Sequence, residues 1–223
     1  MLLKKQLIIL VLLFYGRVLF GFQIPIDSIQ KPHRLILTQG VISATKGHLP
    51  FWMVSNNSGR FSDNQSSSAY TSILFTKSAE AKKNVDYFYR IEAQSVIGRN
   101  TNKNSFIQAY GGISLRWVNI HLGLKEEVFG LNDSTLSVGN LVYGSNARPI
   151  PKIVLSTNGW VNAPILPQLF SFKAYLAHGW FEKNRYQSSA FLHQKNVYVR
   201  SKFIKNRLNI DFGINHNVQW GGA

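Results

Sequence analysis

Hydrophobic and polar positions alternate strictly through much of the chain beyond residue 68. From Val85 to Ile97 the odd positions are Val85, Tyr87, Tyr89, Ile91, Ala93, Ser95 and Ile97, while Asp86, Arg90, Glu92 and Gln94 fall between them. A period of two places each set on its own face of a β-strand, one face apolar and one charged. The pattern repeats: Ile107, Ala109, Gly111, Ile113, Leu115 and Trp117 alternate with Gln108, Tyr110, Gly112, Ser114 and Arg116. Further strands are expected over residues 69–77, 120–127, 135–143, 150–159, 170–180, 192–203 and 208–216. Asn100-Thr101-Asn102, Asn132-Asp133 and Asn206 supply turn chemistry between some of them. That makes about nine strands, mostly antiparallel because their links are short. No long amphipathic helix competes in the second half.

The strand lengths matter. Ordinary strands average five or six residues, whereas a tilted membrane-crossing strand needs about 9 to 11. The runs at 85–97 and 107–117 reach that length. Alternation by itself fits both a secreted sandwich, whose apolar faces meet, and a membrane barrel, whose apolar face touches lipid while its charged face lines the lumen. Aromatic residues near strand ends suit interfacial girdles: Phe51, Trp52, Trp117, Trp160, Phe170, Phe172, Trp180, Phe181 and Trp220. Asp86, Arg90, Glu92 and Arg116 then face the lumen, together with Lys173, Arg200 and Lys202.

The amino terminus reads as an export signal. Lys4 and Lys5 precede an apolar run from Leu7 to Tyr15, too short for a spanning helix and right for a signal core. Residues 1–21 are therefore expected to be a signal peptide, 22–67 an irregular or partly helical plug segment with Pro25, Pro32 and Pro50, and 68–223 the barrel strands. The tract Asn56–Ser68 reads as a loop.

Composition narrows the chemistry. The 223 residues are 45% hydrophobic and only 16% charged, which excludes disorder as the main state. A formal charge of +15 calls for an anionic partner, and loss of residues 1–21 still leaves about +12. With no cysteine, disulfide frameworks, zinc fingers and thiol catalysis are excluded. No nucleophile elbow, zinc-protease or phosphate-loop spacing occurs, and nothing pairs two of the ten carboxylates as a glycosidase requires. His178, His193 and His216 lie on separate strands without a nearby histidine in sequence, so structural histidines are expected and no metal.

Several strings stand in a fixed order: Leu49-Pro50-Phe51-Trp52-Met53-Val54-Ser55-Asn56 followed by Gly59-Arg60, then Gly111-Gly112-Ile113-Ser114-Leu115-Arg116-Trp117, then Leu122-Gly123-Leu124-Lys125-Glu126-Glu127. Asn146-Ala147-Arg148-Pro149-Ile150-Pro151-Lys152-Ile153, His178-Gly179-Trp180-Phe181-Glu182, Leu192-His193-Gln194-Lys195 and Asn215-His216-Asn217-Val218-Gln219-Trp220-Gly221-Gly222 complete the set. From about residue 48 to the end, this set resembles the Wzi-type capsule assembly family of bacterial outer-membrane proteins, in the form common in Bacteroidetes. The resemblance implies an all-β, antiparallel transmembrane β-barrel of about eighteen strands. It also implies a monomeric, lectin-like, non-enzymatic protein without a cofactor, holding capsular or other surface polysaccharide at the cell exterior. Chains of that family are about twice this long, so about nine strands correspond to the amino-terminal half of such a barrel.

Partners expected on this reading are surface polysaccharide and outer-membrane lipid, including lipopolysaccharide, and not nucleic acid. Asn146 and Arg148, ahead of two prolines that stiffen the turn, are candidates to present an amide and a guanidinium to a sugar. The same string also serves simply to shape a bend. Trp180 offers an aromatic face, and Lys183 and Arg185 open a basic stretch that runs to Arg207 with only Glu182 opposing it. Glu126, Glu127 and Glu182 are candidates to balance lumen cations. The competing functions are a general porin and a secreted all-β carbohydrate-binding module.

Overall fold

A computed structural model describes residues 20–24, 32–44, 47–65, 67–80, 83–98, 102–131, 143–203 and 207–222. In chain order the elements are β1 (Phe20–Ile24), β2 (His33–Ser43), α1 (Phe51–Val54), β3 (Ser67–Lys77), β4 (Val85–Gly98), β5 (Asn102–Leu115), β6 (Val118–Leu124), β7 (Pro151–Thr157), β8 (Val161–Asn162), β9 (Phe170–Trp180), β10 (Ala190–Phe203) and β11 (Leu208–Gly221). All strands belong to one antiparallel sheet, in the order β1-β2-β3-β4-β5-β6-β7-β9-β10-β11, with the two-residue β8 beside β9. The chain is thus all-β, as the alternation demands. The sheet is open, with β1 and β11 as its two edges. The expected signal core and most of the strand expected at 135–143 lie outside the described residues.

The two faces of this sheet reverse the usual arrangement. On one face Asp86, Glu92, Gln94, Gln108, Ser114, His121, Lys152, Ser171, Gln194 and Asn196 are buried. On the other, Ile73, Phe75, Ile91, Ile113, Leu122, Ile153, Leu155, Val197 and Phe212 are exposed. Neighbours in sequence show the contrast: Lys152 is 1% accessible and Ile153 54%. Residues 47–65 and 125–131 lie against the polar face, where Arg60 reaches Glu92 and Glu127 reaches Lys152. The chain therefore covers its polar side and leaves its apolar side bare. Rings gather at both ends of the bare face, with Phe75 and Tyr89 centred 5.1 Å apart at one end and Phe191 and Trp220 5.9 Å apart at the other.

Two local readings change. The alternation places Ile107 with Ile113 and Leu115, but a bulge between Glu92 and Ala93 pairs Ala93 with Phe106 and Glu92 with Gln108. The extra residue, Ile107, turns to the covered face and is fully buried, while Phe106 takes the bare side. The plug segment is also less irregular than its sequence suggests. Residues 33–43 form β2, paired along its length with β3. Ile36 and Ile42 lie on the covered side between bare-side Leu35, Leu37 and Val41, so apolar residues occupy both faces and hide the period. Among the described residues helix is confined to Phe51–Val54.

Glycines admit rings at three paired positions, Gly40 beneath Tyr70 and the two that follow. A Cβ at Gly112 would meet the Phe88 ring at 2.6 Å, and one at Gly213 would meet the Tyr198 ring at 1.9 Å. Each aromatic side chain lies across the glycine directly opposite it. Gly112 therefore serves strand packing.

Candidate functional site: the covered polar face

Polar residues at every second strand position converge beneath the two covering segments, and charge pairing organises them. Lys152 is the most deeply buried cation, and its Nζ donates to Glu127, to Gln194 Oε1 at 3.2 Å and to the Tyr175 hydroxyl at 3.2 Å. Tyr175 in turn donates to Glu127 at 2.7 Å. His121 Nε2 lies 3.2 Å from Glu127 Oε1. Burial alone would raise the Glu127 carboxyl, but His121, Lys152 and Tyr175 outweigh it and hold the group at about 2.

A second cluster ties the loop after α1 to the sheet. Arg60 grips Glu92 through two nitrogens, its Nη2 lying 2.9 and 3.0 Å from the two carboxylate oxygens, and also donates to Glu126. Gln108 donates to both carboxylates, at 3.1 and 2.9 Å. Burial would lower the guanidinium, yet Glu126 and Glu92 together raise it above its ordinary value. This arginine is therefore a fixed strut, with every direction of its fork occupied. Lys77 and Asp86, both nearly inaccessible, form a third pair at 2.9 Å.

Of the residues expected to bind polysaccharide, the structure brings Arg148 and Arg185 together and sets Trp180 on the other face. Arg148 pairs with Glu182, and Arg185 donates to the Arg148 and Pro149 carbonyls at 2.7 and 2.8 Å, so the two arginines brace the chain before β7 against the β9–β10 connection. Asn146 accepts the Asn56 amide at 2.9 Å. Lys183 is exposed in the same connection. Trp180, opposite Phe191 at the end of β9, alternates onto the bare face and points away from these groups. Of the expected lumen residues, Asp86, Arg90 and Glu92 all lie on the covered face, and Arg116 occupies the β5–β6 turn at its rim. His178, His193 and His216 lie on adjacent strands, with ring centroids 6.4 and 6.3 Å apart, on the bare side. No group of metal-ligating side chains occurs among the described residues.

Near the 116–117 turn the covered face opens into a cavity of about 330 Å³. Its lining includes five basic residues, Lys77, Lys83, Arg90, Arg116 and Lys125, against one acidic residue, Glu80. Lys83 is engaged by Glu80 and Lys77 by Asp86. Lys125 sits 5.3 Å above the Tyr110 ring and 5.9 Å from that of Phe88, and burial lowers its ammonium below the ordinary value. Sequence reading did not assign Arg60, Lys125 or Lys152 a role, although each stands inside a quoted string. The signal was present in their positions beside Gly59 and Glu126-Glu127 and after Pro151. What was missing was the fold of the covering segments. Comparison of the chain with protein-family profiles, with curated proteins and with solved structures finds no match.

Proposed function

We propose that this chain is part of a Wzi-like outer-membrane β-barrel that holds capsular or other surface polysaccharide at the cell exterior without catalysing a reaction. One observation carries the membrane half: the apolar face is bare across the sheet while buried charges fill the opposite face. In water, covering segments settle on apolar surface, because its burial yields about 25 cal/mol per Å². Here they settle on polar surface, the arrangement a barrel interior requires when lipid covers the outside. Aromatic clusters at both ends of the bare face suit the two interfaces. The open edges at β1 and β11 would each expose unpaired backbone, which hydrocarbon does not tolerate, so closure on this reading requires further strands. The capsule half is supported by the ordered strings from Leu49 to Gly222.

Nitroxide labels at Ile91 and Ile113 in reconstituted protein test the membrane half. Both are expected to be relaxed by dissolved oxygen and shielded from aqueous nickel chelates. The reverse pattern, or recovery as a detergent-free soluble monomer, overturns it. A general porin is the second reading. The covering segments, pinned by Arg60 and Glu127, favour a plugged barrel, for which planar-bilayer conductance is expected to be low.

A further inference from the structure

We infer that the cavity between residues 78–80, Lys83 and the 116–117 turn is a subsite for an acidic sugar unit, binding its carboxylate, phosphate or sulfate group. The inference rests on the polysaccharide reading above and names the substrate class.

Three cations there lack a full ionic partner. Arg116 and Lys125 make no ion pair among the described residues. Arg90 approaches Glu92 only to 3.8 Å, that carboxylate already being held by Arg60, and the Arg90 Nε is buried without a hydrogen-bond partner. Unneutralised cations sharing one concavity repel each other, and an anion entering the cavity relieves that repulsion. The two rings beneath Lys125 hold it in place by cation–π contact, so it costs little further ordering on binding.

Hydroxyl chemistry distinguishes a sugar from a simple anion. Asn119 donates to Asn158 Oδ1 at 3.4 Å while its own Oδ1 is buried and unpartnered. That acceptor, beside donors that suit a carboxylate, matches a unit carrying both an acid group and hydroxyls. The cavity volume falls at the small end of ligand pockets. A lipid headgroup is disfavoured, because the cavity opens on the polar face and acyl chains belong on the bare one.

The test uses the full chain in detergent, with oligogalacturonate as the acidic probe and its neutral galactan counterpart as control, read by calorimetry. Oligogalacturonate is expected to bind with an affinity that falls as salt rises, and R116Q and K125Q are each expected to weaken it about tenfold, the loss of one charge-assisted hydrogen bond. K103Q, an exposed position at the opposite end of the sheet, leaves it unchanged. Because Arg116 lies exposed in a turn, R116Q and R116E keep the fold, as circular dichroism checks, and R116E weakens binding further. Equal binding of acidic and neutral probes, no binding of the acidic probe, or affinity indifferent to R116Q, R116E and K125Q overturns the subsite. Binding of lipid A vesicles that depends on Arg116 while oligogalacturonate does not bind overturns the sugar assignment. Label accessibility on the bare face is unaffected by any of these outcomes, so failure of the subsite and failure of the membrane reading are separable.

Discussion

Removing Glu127 should be among the most damaging single changes on the polar face. Its carboxylate is the only ionic partner of Lys152 among the described residues; the Lys152 side chain is 1% accessible and that of Glu127 8%. In Glu127→Gln the ammonium keeps neutral acceptors on Gln194, Tyr175 and Tyr143 but loses its counter-charge. Breaking a buried pair from one side costs about 3–5 kcal/mol, because the remaining charge stays desolvated. The double variant Glu127→Gln with Lys152→Met removes both charges and is expected to be at least about 2 kcal/mol more stable than the sum of the two single losses predicts. Urea unfolding in detergent micelles, followed by tryptophan fluorescence, reads these differences as midpoint shifts at constant slope. The pH dependence has a fixed sign. Folding holds Glu127 at about 2 against an ordinary 4.5, so its contribution is complete above about 4.5 and disappears as pH falls toward 2. Glu127→Gln should flatten that acid limb. A cost below about 1 kcal/mol for Glu127→Gln, or strict additivity in the double variant, would refute the claim that this pair holds the covering segment to the sheet.

Ile113→Arg should cost about 2–4 kcal/mol in a bilayer and sharply reduce assembled protein in outer-membrane fractions, whereas on a water-facing surface it would stay within about 0.5 kcal/mol. Gly213→Val should destabilise by about 1–3 kcal/mol because the Tyr198 ring has nowhere to go, and Tyr198→Ala in that background should restore part of the loss in the same urea assay. In a capsulated host from which the gene is deleted, polysaccharide is expected in the medium rather than on the cell, and a normal capsule would argue against the polysaccharide role. Planar-bilayer recordings of the Arg60→Ala variant should show higher conductance than the unaltered chain, since the loop after α1 loses its hold on Glu92 and Glu126.

Period-two alternation was legible wherever each face kept one polarity, and β4 and β9 follow it closely. It failed at Ile107, because a bulge adds a residue without any compositional mark, and at β2, where apolar side chains on both faces erase the period. The shared face of Asp86, Arg90 and Glu92 could be read for the same reason the strands could: parity fixes the face once the register is known. The sequence marks Arg148, ahead of two stiffening prolines, and Arg185, within a basic stretch, as candidates to bind a sugar. Only tertiary structure revealed that Glu182 and two carbonyls already occupy them.

The sequence by itself determined most of the strands beyond residue 68 and their two-faced character, since side-chain direction along a strand depends on nothing beyond neighbouring positions. Which face the chain covers was decided by tertiary structure alone. That choice depends on where residues 47–65 and 125–131 come to rest, and therefore on contacts such as Arg60 with Glu92 and Glu127 with Lys152 between residues far apart in sequence. Local patterning carries no record of such pairings, because the free energy that selects them comes from desolvated charges meeting only after the sheet has formed.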